Sequence, residues 1–207
     1  MYIGGVRRTK EEAAATREQI LDAALRVFSR KGYSAATLQD VAAEAGLTRG
    51  AVYWHFKGKV ELYSALVGER FARANEVFAE ALSPRYSPLE SIERLLTRSL
   101  EYLEEDPEYR AVLSISLFKT ELTPELEPGF QQKIASMRRL VDAVADLVRK
   151  GIAAGEIDRA TDPRAAALAA VSLVNGATAL HLMDPKVLES RAVVRRMVAT
   201  FVGGLRR

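Results

Sequence analysis

With 207 residues, no cysteine, 48% apolar and 28% charged residues, the chain is long enough for two packed units, cannot form a disulfide or thiolate metal site, and is not a disordered polymer. Its net charge of +3 gathers at the N-terminal end: residues 1–60 hold ten Lys and Arg against six Asp and Glu, and the remainder holds 20 against 21, which excludes the uniformly basic character of a DNA-packaging protein. No run of eighteen apolar residues and no apolar stretch ahead of a cleavage site is present, so a cytoplasmic protein without a membrane partner is expected.

Taken in chain order, every segment reads as helix. Ile20, Leu21, Ala24, Leu25, Val27 and Phe28 share one face of a first helix over 10–31 that stops at Gly32. A short helix starts at Thr37, a second at Thr48, and a long one runs from about Lys59 to Leu82. Later helices are expected at about 88–105, 107–120, 126–153, 163–182 and 187–205. Five Ser-Pro, Thr-Pro or Asp-Pro pairs, at Ser87, Asp106, Thr123, Asp162 and Asp184, each have the form of an N-cap followed by the first helical residue, and Ser87 with Glu90 forms a capping box. Period-two runs are absent, so the fold class is all-α.

The informative stretch is 37–56, TLQDVAAEAGLTRGAVYWHF. Ala42 is small where a second helix must cross closely, Gly46 can take the positive φ of a tight turn, and Leu47 and Val52 seal a small core between two helices capped by Thr37 and Thr48. This spacing suits a helix-turn-helix, although an ordinary helical hairpin packs small residues in the same way. The outer face of the second helix favours the first reading. It carries Thr48, Arg49, Gly50, Tyr53, Trp54 and His55, followed by Lys57 and Lys59, a surface suited to the major groove and its phosphates. Lys59 stands at the start of the long helix, where the dipole disfavours a cation and a shared phosphate would explain it.

Enzyme chemistry has no footing here. The two histidines lie far apart at 55 and 181, neither in an H-E-x-x-H pattern, and no phosphate-cradling, nucleophile-elbow or dinucleotide motif occurs. No cofactor or metal is expected.

Residues 9–13 (TKEEA), 16–24 (TREQILDAA) and 46–59 (GLTRGAVYWHFKGK) resemble the tetracycline-repressor (TetR) family, and within it the AcrR-like repressors of multidrug efflux pumps. The resemblance implies a nine-helix fold with a helix-turn-helix DNA-binding domain over 1–58 and a ligand-binding and dimerisation domain over 59–207. It further implies a homodimer that binds palindromic double-stranded operator DNA and is released by a hydrophobic small molecule. A regulator of metabolism that senses a fatty acid or another metabolite, or an activator, remains an alternative. Carried over by position, Thr37, Thr48, Arg49, Gly50, Tyr53, Trp54, His55 and Lys59 are the DNA-contacting positions, with Arg49 reading a base and Tyr53, His55 and Lys59 on phosphates. Trp54 admits packing against the long helix as readily as a DNA contact.

In the remaining helices Phe71, Phe78, Phe118 and Met137 are either core or the lining of the ligand cavity that the resemblance implies, with Asn75 and Asn175 as its polar groups. His181 is a third polar candidate for that cavity, although a satisfied helix-end histidine is the more common reading. Leu168, Val171 and Ala179 on one of the last two helices, and Val194, Met197 and Phe201 on the other, are the expected dimer interface; packing within the chain is the competing explanation.

Overall fold

The computed structural model describes residues 10–188 and 190–206, so Arg7, Arg8 and Thr9 of the basic N-terminal end lie outside the described residues. Nine α-helices and no strand occur among the described residues: α1 (Lys10–Ala35), α2 (Leu38–Ala45), α3 (Arg49–His55), α4 (Lys59–Ala79), α5 (Pro88–Glu105), α6 (Pro107–Phe118), α7 (Glu127–Ala153), α8 (Pro163–Met183) and α9 (Arg191–Gly203). The expected all-α, nine-helix architecture is therefore present.

The proline punctuation holds at three of five places. Pro88, Pro107 and Pro163 open α5, α6 and α8. Thr123-Pro124 and Asp184-Pro185 open only short turns. At Asp184 the carboxylate accepts from Lys186 N at 3.0 Å, closing a local turn in place of a helix start. The Ser87 cap is also built differently from a capping box. Ser87 Oγ accepts from Glu90 N, but the Glu90 carboxylate accepts from Arg94 Nε at 3.0 Å instead of reaching back. Glu156, far along the chain, completes the cap by accepting from Ser87 Oγ at 2.9 Å and from Leu89 N at 3.0 Å.

Two compact units result, one formed by the chain up to Arg70 with Ala111–Glu125, the other by Phe71–Arg110 with the chain from Leu126 onward. The expected division at 58 falls too early. Leu62 and Leu66 of α4 are fully buried in the first unit, together with Ile20, Leu21, Phe28, Val41, Ala42 and Val52. Within that unit α1 is kinked at Gly32, whose φ of 74° lies in the left-handed region, and Tyr33 N donates to Lys119 O at 2.9 Å beside the kink. A Cβ at Gly32 would stand 3.2 Å from that same carbonyl, so glycine is required both by conformation and by close approach.

The second unit packs Ile92, Leu96 and Leu100 of α5 with Val144 and Val148 of α7, Ala167 and Ala170 of α8, and Val194, Val198 and Val202 of α9. Beside this aliphatic core stands an aromatic group made of Phe71, Phe78, Tyr102 and Tyr109, with ring centroids 5.1–6.2 Å apart. Burial pushes both tyrosine hydroxyls up to about 12. His181 is buried, and its Nδ1 has no hydrogen-bond partner among the described residues. Burial, reinforced by Arg110 and opposed by Glu104, lowers its pKa below the usual histidine value. The expectation of a satisfied helix-end histidine is thus corrected.

Candidate nucleic-acid interface

The helix-turn-helix is α2, a turn and α3. Thr37 starts α2 with a full capping box: its hydroxyl accepts from Asp40 N at 3.1 Å, and its amide donates to Asp40 Oδ2 at 3.0 Å. The Lys31 ammonium and the Thr37 hydroxyl and amide hold the Asp40 carboxyl below its ordinary range. Gly46 ends α2 in the left-handed region at φ 66°, which turns the chain toward Thr48. Thr48 Oγ1 then accepts from Ala51 N at 3.2 Å and starts α3. On the inner side, Val52 and Phe56 are buried and fix the roll of α3.

The outer side of α3 presents Arg49, Gly50, Tyr53 and Trp54 to solvent. Trp54 is 70% exposed, so it is not packed away against α4. Arg49 Nη2 donates to Tyr53 OH at 3.1 Å, with the guanidinium 5.2 Å from the Tyr53 ring centroid, so one helical turn holds the arginine in place. Gly50 has no internal reason to be glycine. A Cβ there would meet only Thr48 Oγ1, at 3.9 Å, whereas glycine within a helix costs about 0.5–1 kcal/mol relative to alanine. A backbone bare of side chain on an exposed aromatic and basic face suits close approach of an outside partner.

The other positions are placed less simply. Thr37 and Thr48 are exposed but spend their side chains on caps. His55 is half-buried, stacked edge-on to Trp54 at 4.5 Å, with Nε2 buried. Lys59 departs most from expectation. Its Nζ donates to three backbone carbonyls, Tyr33 O at 3.0 Å, Ser34 O at 3.2 Å and Ala36 O at 3.1 Å, which occupies all three ammonium donors within the unit. Much of the N-terminal basic excess is likewise committed inside the unit. Arg26 and Arg30 pair with Glu44, Lys31 with Asp40, and Arg17 with Glu69. The local charge excess therefore says little by itself, and the exposed face of α3 says more.

The residues expected to bind a ligand do not come together as one set. Phe71 and Phe78 join the aromatic group with Tyr102 and with Tyr109, which sequence reasoning missed because a lone tyrosine in a helix carries no periodic signal. Asn75, Met137 and Asn175 are exposed, and Phe118, also exposed, belongs to the other unit. An open groove of about 540 Å³ in the second unit, whose lining includes Val77, Tyr86, Arg94, Arg98 and Arg195, contains none of the six. Of the residues expected at a dimer interface, Val194 is 0% exposed and Val171 is also buried, so both belong to the core of their own chain. Ala179 is half-buried, Met197 and Phe201 pack partly against the same core, and Leu168 lies open.

Comparison with known proteins agrees with this architecture. Residues 20–66 match the model of bacterial regulatory proteins of the tetR family, and residues 88–206 match the C-terminal domain of BetI-type transcriptional repressors. The HTH-type transcriptional regulator TtgR of Pseudomonas putida is 35% identical over 211 residues, covering 97% of this chain and 96% of that protein. NalD, the secondary repressor of the MexAB-OprM multidrug efflux pump in Pseudomonas aeruginosa, superposes with a TM-score of 0.82 at 28% identity over 96% of this chain and 99% of that one. SmeT, the repressor of the Stenotrophomonas maltophilia pump SmeDEF, solved as a triclosan complex, superposes with a TM-score of 0.74 at 25% identity over 93% and 92% of the two chains. A helix-turn-helix with an exposed recognition face, a helical C-terminal unit and end-to-end similarity to such regulators make this chain a member of the tetR family of bacterial transcriptional regulators.

Proposed function

We propose that the chain is a repressor that binds a palindromic operator as a homodimer, controls a multidrug efflux operon in the cytoplasm, and is released from DNA by a hydrophobic small molecule. The observation that carries this reading is the outer face of α3, where Arg49, Gly50, Tyr53 and Trp54 stand exposed on a helix whose inner side is fixed. Similarity to NalD and SmeT, each the repressor of a multidrug efflux pump, supports efflux control, and the triclosan complex of SmeT supports release by an apolar aromatic compound. Dimerisation is supported by α8, whose mean hydropathy reaches 1.5 over an 18-residue window although only 33% of that window is buried. That composition also satisfies the length and apolarity of a membrane span, but a second copy of α8 is the better cover, since one face of the helix is already packed in the core.

The test is fluorescence anisotropy with DNA from the promoter flanking the gene, at fixed salt, with and without triclosan. Tight binding is expected to an inverted repeat whose half-sites lie about 34–36 Å apart, and triclosan is expected to weaken it. Equal affinity for promoter and random DNA would sink the repressor reading. Two variants test the α3 face. Arg49→Ala is expected to lower operator affinity by about 1–3 kcal/mol and relax preference at one base pair. Gly50→Ala is expected to raise thermal stability by up to about 1 kcal/mol and yet weaken operator binding. A Gly50→Ala protein with wild-type operator affinity would remove the close backbone approach.

A further inference from the structure

We infer that Lys59 is a positioning residue for the recognition helix, tying the beginning of the helix-turn-helix to its end. The inference rests on operator binding through α3. The chain begins the motif at Ala36-Thr37 and leaves it at Gly58-Lys59, and the ammonium of Lys59 reaches back to Ala36 O at 3.1 Å. Its two other bonds, to Tyr33 O and Ser34 O, end on the last turn of α1, where carbonyls lack helical partners and the dipole is negative. The cation also stands 4.4 Å from the centroid of the Tyr33 ring. A lysine at the unfavourable start of α4 is thereby accounted for by the favourable end of α1, with no phosphate required.

Tyr33 makes the knot more than a cap. Its carbonyl and ring hold Lys59, while its amide donates to Lys119 O at 2.9 Å and its hydroxyl to Glu125 Oε1 at 2.8 Å. Lys119 Nζ donates in turn to Ser29 O at 2.5 Å. One buried residue therefore joins the 119–125 segment to the lysine that follows α3. The buried C-cap of α3, Phe56, lies three residues before Lys59, so the angle at which α3 is presented depends on where this ammonium sits.

The experiment compares wild type with Lys59→Met, which keeps the alkyl stem and removes the ammonium. Expected are a fall of about tenfold or more in the ratio of operator to random-DNA affinity, unchanged random-DNA affinity, and an unchanged slope of log affinity against log salt. A phosphate contact would instead weaken both DNAs alike and reduce the slope by about one, and that result would overturn the inference. Should Lys59→Met fail to fold, nitrogen NMR of the lysine ammonium groups in the wild-type protein decides. Positioning requires a Lys59 signal slowed in exchange with water before DNA is added and little changed afterwards. A signal like that of solvent-exposed lysines, ordered only by operator, overturns it. If wild type shows no operator preference, the repressor reading fails, while the DNA-free spectrum still decides the place of Lys59.

Discussion

A chain carrying Leu168→Glu and Leu180→Glu is expected to sediment as a monomer and to lose about three orders of magnitude or more of operator affinity, while keeping its helical circular dichroism. The expectation comes from the open face of α8. Residues 165, 168, 169, 172, 176, 180 and 183 recur at helical spacing and are all exposed, with Met183 at 74%. Large side chains at 168, 180 and 183 flank the small Ala169, Ser172 and Gly176, a shape that lets two copies of one helix approach closely. Around a two-fold axis the two substitutions place four carboxylates in the interface, and each unpaired buried charge costs several kcal/mol. In the monomer the same side chains face water, so the fold is spared. Met197 and Phe201 are poorer sites for this test, because they pack partly against the chain's own core and charging them would damage it. A double variant with dimer mass and wild-type operator affinity would refute α8 as the interface.

The second large effect is expected at Arg70. Its side chain is 2% exposed and pairs with Glu18 and Asp22 of α1, each at 2.8 Å, whereas those two side chains are 39% and 41% exposed. The asymmetry predicts the order of two losses. Removing the arginine returns two half-hydrated carboxylates to water. Removing both carboxylates leaves a desolvated cation without two anionic partners, which costs about 3–5 kcal/mol, or roughly 10 °C in melting temperature for a chain of this size. Glu18→Ala with Asp22→Ala is therefore expected to melt well below Arg70→Met. Calorimetry that found the reverse order would show that the α1–α4 contact depends on the arginine's packing and not on its charge.

What the sequence discloses and what it conceals divide by the range of the interactions. The capping box of Thr37 and Asp40, the left-handed Gly46 and the proline starts of α5, α6 and α8 are set by residues within four positions of one another, and each was readable. The exposed face of α3 was readable for the same reason. Glu156 capping α5, Lys59 bonded to the end of α1, and Val194 turned into the core are decided by partners that only the folded chain brings near. Even the boundary of the DNA-binding unit was hidden. Hydrophobic periodicity shows that α4 is one helix and carries no mark of where along it, at Arg70, the burial passes from one core to another.

That boundary bears on modularity. The DNA-binding unit takes its last stretch, 111–125, from forty residues downstream of Arg70, and buries Val112 and Ile115 from it. The unit is therefore not one continuous cassette of sequence. A graft cut at residue 58 leaves behind Leu62, Leu66 and the stretch that docks at Gly32. A chimera that keeps the core of this unit whole must carry two separate pieces of this chain.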